Sequence, residues 1–165
     1  VMNNPYHIAY WKAVGANPVA MDFGEVYVAL KQNVIDAEEN PYMNIVGNKF
    51  YEVQKYTIET NHVGHIIIFI MGNKLYESLS DNVKKLVDDC SKSAIDYGRS
   101  IADESIAADK KLIQDKGVEI ISLKAEDLDL LARDAASVHD SLRKKIGNEI
   151  FDVFFAEIEK AKKLQ

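Results

Sequence analysis

Residues 81–116 read DNVKKLVDDCSKSAIDYGRSIADESIAADKKLIQDK, with no proline and a single glycine, Gly98. Apolar residues recur at Val83, Val87, Cys90, Ala94, Tyr97 and Ile101, at intervals of four and three, which lines them along one face of a helix with 3.6 residues per turn. Ser80 stands at the N-cap position, Asp81 suits the positive end of the helix dipole, and Gly117 supplies the stop. The spacing predicts one helix over 81–116. At about 1.5 Å per residue it extends roughly 50 Å, beyond the ~30 Å diameter of a small domain. Such a helix either enters a coiled coil or bridges two lobes. The stripe weakens at Gly98, Glu104 and Ser105 and is rich in alanine, so a bridging helix, bent near Gly98, is the expectation.

Outward from this helix the pattern alternates. Val118 to Ser122 is strand-like, and two helices follow, about Ala125 to Lys145 and Gly147 to Leu164. On the N-terminal side, Val53 to Asn61 and Val63 to Met71 are dense in branched and aromatic residues and read as strands. Asn40-Pro41 opens a short helix, Val34-Ile35 reads as a buried strand tip, and Phe23 to Gln32 is a helix with Val26, Tyr27 and Leu30 on one face. A first helix, Pro5 to Val14, is started by Asn4 and Pro5 and stopped by Gly15. The chain opens directly on Val1-Met2-Asn3-Asn4, as a sequence beginning inside a structural element does, and an upstream part is expected.

The chain has 20 Lys+Arg against 26 Asp+Glu, a formal charge of −6, and a pI near 5.2. This excludes a generic basic nucleic-acid binder. An apolar content of 47% with 28% charged residues is the balance of a folded soluble domain. The single cysteine, Cys90, makes no intrachain disulfide and leaves the compartment open. The longest apolar run, Ile66 to Met71, is far shorter than the roughly 20 residues that cross a bilayer, and no leader pattern opens the chain.

Patterns that carry catalysis are missing. There is no glycine-rich phosphate loop, no Gly-x-Ser-x-Gly elbow and no CxxC pair. Glu59, His62 and His65 are the one set that could serve a metal-dependent or acid–base enzyme, yet on a strand residues i and i+3 point to opposite faces, so no shared metal is expected. His7 and His139 read as ordinary surface or capping histidines, and Cys90 as a small core residue on the apolar helix face. A third reading takes residues 81–116 as a helical interaction module.

Three ordered segments carry more information: Gly15-Ala16-Asn17-Pro18-Val19-Ala20-Met21-Asp22-Phe23-Gly24-Glu25-Val26-Tyr27; Val34-Ile35-Asp36-Ala37-Glu38-Glu39-Asn40-Pro41; and Lys49-Phe50-Tyr51-Glu52-Val53-Gln54-Lys55-Tyr56, closing on Thr60-Asn61-His62. Together they resemble the solute-binding protein of TRAP (tripartite ATP-independent periplasmic) transporters, and the resemblance covers nearly the whole chain but only the C-terminal half of a family member. It implies an α/β, two-lobed periplasmic-binding-protein (venus-flytrap) fold with a long helix spanning both lobes. Residues 1–65 and 106–165 would belong to one lobe and 66–105 to the other. The strand run Ile66 to Met71 would then find its partners in the absent N-terminal half.

The same resemblance implies a periplasmic, extracytoplasmic receptor that does no chemistry and needs no cofactor or metal. It would be a monomer at full length that captures a small organic acid (a dicarboxylate, a sugar acid or a sialic-acid-like compound) and hands it to membrane subunits, with no role for nucleic acid. The family's carboxylate-clamping arginine would lie immediately before Val1; its planar fork matches a carboxylate in two charge-assisted bonds. Among residues present, the resemblance assigns ligand contact to Asn3, Phe23, Glu39, Asn40 and His62. The residues themselves leave alternatives: Asn3 at the start of a helix, Phe23 in the core, Asn40 as a helix cap. Asp36 would support the turn. Ala37 stands where glycine is usual, which argues against a positive φ there. Glu38, often glutamine, would disfavour highly charged acids if it faces the cleft.

Overall fold

The computed structural model describes residues 1–162. Helix α1, Pro5–Ala13, begins as expected: the Asn4 side chain accepts from the backbone N–H of Tyr6 at 2.8 Å and of His7 at 3.4 Å, with Pro5 in the first turn. Gly15, at φ +89°, ends it. A 3-10 turn, Phe23–Glu25, leads into α2, Val26–Lys31, which buries Val26, Ala29 and Leu30. Helix α3, Tyr42–Gly47, follows Pro41, and a second 3-10 turn, Phe50–Glu52, precedes strand β1, Tyr56–Glu59. Helix α4 covers Asn73–Ser78 and α5 Asp81–Asp115, followed by strand β2, Glu119–Ser122. Three helices close the chain: α6, Ala125–Asp134; α7, Ala136–Ile146; and α8, Asn148–Lys162.

The strands β1 and β2 pair in a two-stranded sheet. The Glu119 amide donates to the Lys55 carbonyl and the Ser122 hydroxyl to the Glu59 carboxylate, so the partners advance together and the pairing is parallel. The chain divides into two compact units. One comprises Val1–Glu39, Ile58–Thr60 and the described residues from Ser122 onward; the other comprises Asn40–Thr57 and Asn61–Ile121. In the first, α1 packs against α7 and α7 against α8. Its buried residues are Val26, Ala29, Leu30, Ala135 and Phe151. In the second, α3 packs against α5, and Ile45, Phe50, Ile113 and Val118 form the dry interior.

The long helix forms where its spacing places it, yet Ile113 is its only buried residue. Val83, Leu86, Ile95, Tyr97 and Ile101 stay exposed along the upper turns. There the helix is supported by local terms, the i,i+4 ion pairs Lys85–Asp89 and Lys92–Asp96, each worth a few tenths of a kcal/mol, and a third pair, Lys111–Asp115, lies at its foot. Its first turns are laced to α4, since the Tyr76 hydroxyl donates to Asp88 at 2.9 Å and Lys84 pairs with Glu77 at 3.1 Å. Cys90, expected in a core, is exposed, and none of the described residues covers that face.

Four further expectations are corrected. Ile66 to Met71 forms no strand, and Ile67 is 90% exposed, because a strand exists only through its ladder partner and no segment among the described residues pairs with this run. Val34 is 66% exposed in a bend, not a buried strand tip. The helix expected over Ala125 to Lys145 breaks at Ala135, a buried residue in a sequence with no breaker, where α7 takes the direction that its packing on α1 and α8 requires. His139 is half-buried and packs on rings: it lies edge-on to Phe155 at 5.0 Å, beside the Phe151–Phe155 stack, and Arg143 caps Phe151 while pairing with Asp152 at 2.7 Å. Gly147, at φ +91°, makes the α7–α8 corner. The expected last turn at 163–164 lies outside the described residues.

Full burial of Ile113 at the foot of a long exposed helix gives an expected outcome. Ile113→Ala should lower the unfolding free energy by about 2–5 kcal/mol, from lost transfer energy and a cavity. Ile95→Ala, on the exposed face, should cost under about 1 kcal/mol. Urea unfolding of the two variants checks the contrast.

Candidate functional site

The expected contact residues divide between the two units, with Asn3, Phe23 and Glu39 in the first and Asn40 and His62 in the second. Asn3 is exposed and immediately precedes the Asn4 cap that starts α1. Phe23 opens the 3-10 turn before α2 and is 45% exposed, which removes the core alternative for it. His62 is half-buried and follows Asn61, whose φ of +46° turns the chain after β1; asparagine tolerates that left-handed backbone better than most residues. Among the described residues, positive φ outside glycine occurs at Asn33, Lys49 and Asn61, and Ala37 is not one of them.

Asn40 is half-buried just before α3. Its Oδ1 accepts from the Asn44 amide at 3.0 Å, one helical turn on. The N-cap of α3 is Pro41, and no side-chain bond caps it there, so the cap alternative for Asn40 is replaced by a side-chain clamp. An asparagine offers two donors and two acceptor sites, and this clamp uses one acceptor site. Asn44 was not legible as a partner until the helix register was known.

Glu39 has a side chain only 11% exposed, and the imidazole of His7, on α1, stands 3.5 Å from its carboxylate and is 16% exposed. His7 is thus a shielded residue facing an acid, not the surface or capping histidine expected. Elsewhere, Glu59 accepts from Ser122 at 2.6 Å and His65 is exposed. Among the described residues no group of three or more His, Cys, Asp or Glu could hold a metal ion, and no helix is long and apolar enough to cross a membrane.

Within each unit these residues offer hydrogen-bonding groups and, at Phe23, an exposed aromatic face. Residues 1–145 match the model of bacterial extracellular solute-binding protein, family 7, and the chain belongs to that family. A solute-binding protein of Roseobacter denitrificans is 32% identical over 145 residues, 87% of this chain and 45% of that protein. The C4-dicarboxylate-binding periplasmic protein DctP of Shewanella loihica is 32% identical over 96% of this chain and 48% of its own length. The sialic acid-binding periplasmic protein SiaP of Vibrio cholerae is 39% identical over 53% of this chain and 27% of its own.

Among solved structures, a TRAP periplasmic solute-binding protein from Ochrobactrum anthropi matches 99% of this chain and 51% of its own at a TM-score of 0.85 and 30% identity. Another from Roseobacter denitrificans, with bound L-galactonate, matches 93% of this chain and 49% of its own at 0.75 and 30%. The fold is therefore the one that the sequence resemblance implied, a portion of the two-lobed periplasmic-binding-protein architecture, and the chain spans about half the length of the relatives it matches. The enzyme built on Glu59, His62 and His65 finds no support.

Because no metal-ligating cluster is assembled among the described residues, chelator is expected to leave the melting midpoint unchanged, as is added zinc. His65→Ala should behave likewise. Differential scanning fluorimetry with and without each addition checks this, and a chelator-induced fall would revive the metal reading.

Proposed function

We propose that this chain is part of an extracytoplasmic solute-binding receptor of a TRAP-type secondary transporter, working in the periplasm and about twice this length when complete. It captures a small carboxylate-bearing solute, a dicarboxylate, a sugar acid or a sialic-acid-like compound, and delivers it to the membrane subunits. The observation that carries this is the match of 99% of the chain to half of one TRAP receptor, with 30% of residues identical. The relatives supply the solute classes: C4-dicarboxylate and sialic acid for two named proteins, and L-galactonate for a structure with its ligand bound.

On this reading Asn3, Phe23, Glu39, Asn40 and His62 contact or frame the solute. Residues 1–65 and 106–165 serve one lobe and 66–105 the other, and the complete receptor is a monomer. It is not an enzyme and uses no cofactor: the solute leaves unchanged.

The test is a thermal shift of the full-length receptor with succinate, L-galactonate and N-acetylneuraminate as probes. A specific binder raises the midpoint with concentration, following the logarithm of ligand over Kd, and the acid is recovered unaltered. No shift with any probe would count against the reading.

Asn40→Asp isolates the amide. The substituted side chain still accepts from Asn44, so the melting point without solute should move little. Its added charge opposes an anionic solute where an amide had donated, and a charge-assisted bond alone is worth about 1.5–3 kcal/mol. Affinity for the tightest probe should fall at least about tenfold by calorimetric titration. Unchanged affinity would remove Asn40 from the site.

A further inference from the structure

Asn40 is held by a residue that stands between two of the sequence motifs and belongs to neither. Asn40, Asn44 and Asn48 follow one another at intervals of four, about one helical turn apart, and all three lie in the second compact unit. The Asn44 Nδ2 donates to Oδ1 of Asn40 at 3.0 Å. Asn44 is itself fixed: its backbone N–H donates to the Pro41 carbonyl at 2.9 Å, and its carbonyl accepts from both the backbone N–H and the side-chain Nδ2 of Asn48, each at 3.0 Å. The next residue, Ile45, is buried in the unit whose α3 packs against α5, so the donor reaches Asn40 from an anchored turn.

The two ends of an asparagine amide are alike in size and opposite in character, one accepting and the other donating through two hydrogens. Rotation about the last side-chain bond exchanges them, and that torsion is soft, so hydrogen bonds decide which end points where. With Oδ1 committed to Asn44, Nδ2 lies on the other side of the planar group, and its two hydrogens let it donate to a solute oxygen alongside another acceptor. An anion needs that end. We propose that Asn44 is a positioning residue of the solute site: its bond to Oδ1 sets the Asn40 amide so that the donor end, and not the acceptor, meets a solute carboxylate. The role rests on the receptor reading above and deepens it at one contact, within one unit. The amide is set before the solute arrives, which spares the cost of ordering it on binding.

The experiment is a double-mutant cycle in the full-length receptor: wild type, Asn44→Asp, Asn40→Ala and both together. Each is titrated calorimetrically near neutral pH with whichever of succinate, L-galactonate and N-acetylneuraminate binds wild type most tightly, and each is melted without solute. A carboxylate at position 44 only accepts, so the Asn40 amide turns to donate to it and brings Oδ1 round to the solute. Asn44→Asp should then weaken binding at least about tenfold in the native background. In the Asn40→Ala background the added charge remains but there is no amide to turn, so the same change should cost under about threefold. Asn44→Ala, which releases the amide without turning it, should fall between wild type and Asn44→Asp, and it carries the same cycle where the aspartate variant folds poorly.

Equal losses in the two backgrounds would overturn the positioning role, because charge or fold alone would then account for them. So would an Asn44→Asp receptor that binds as wild type does, or a loss for Asn44→Ala as large as that for Asn44→Asp, since the polarity of the amide would then be immaterial. Unchanged affinity in Asn40→Ala would take Asn40 out of the site, and Asn44 with it, while the receptor reading stands. Wild type that binds none of the three acids would instead overturn the receptor reading, so binding by wild type separates the two failures.

Discussion

The junction between α3 and the foot of α5 is the constraint on which the second unit depends. Ile113 is fully buried and Phe50 all but so, while the 32 residues of α5 before Ile113 bury none of their side chains. A 35-residue helix held mostly by i,i+4 ion pairs needs one firm tertiary anchor, since such pairs contribute only a few tenths of a kcal/mol each. Ile113 also anchors the turn at the end of α5: the Val118 amide donates to its carbonyl at 3.0 Å, closing the chain through Gly117 and feeding β2 into its pairing with β1. Register in the small sheet and the direction of the long helix are thus set by the same few side chains.

The chain exposes more than that anchor can use. Ile66 to Ile70 and the upper face of α5 present large apolar side chains to solvent, a surface that hydrophobicity would drive under cover if a partner were at hand. The curated relatives that this chain matches are about twice its length. The first unit shows the opposite economy: its α7–α8 corner is closed by three rings, an arginine and an ion pair, and its α1 is fixed by a cap, a proline and a glycine.

Local structure was legible where a local cause sufficed. The Asn4-Pro5 start and Gly15 stop of α1 and the span of α5 were readable, because caps, glycine φ values and helical periodicity act within a few residues. The break at Ala135 was not readable, since no residue there opposes a helix and the turn is imposed by neighbours distant in sequence. Val34 and Ile66 to Met71 were read as strand from side-chain type, but a strand needs a partner backbone as well as a suitable side chain. The Asn44 clamp on Asn40 and the 45% exposure of Phe23 depend on which groups come near in the fold, and neither was readable from residue type.

The sequence by itself determined the family and the kind of fold, because three ordered motifs and a helical stripe are patterns of residue identity that survive without coordinates. It also placed both ends of α1 and of α5 to within a residue, and missed α4 altogether. Only the tertiary structure decided that His7 faces Glu39, that Asn40 is clamped by Asn44 and does not cap α3, and that Cys90 and the α5 stripe lie open. The physical reason is range. Capping and periodicity act over one or two turns of chain, whereas the pairing of residues 7 and 39, like the burial of a side chain, depends on elements that meet only once the chain has folded.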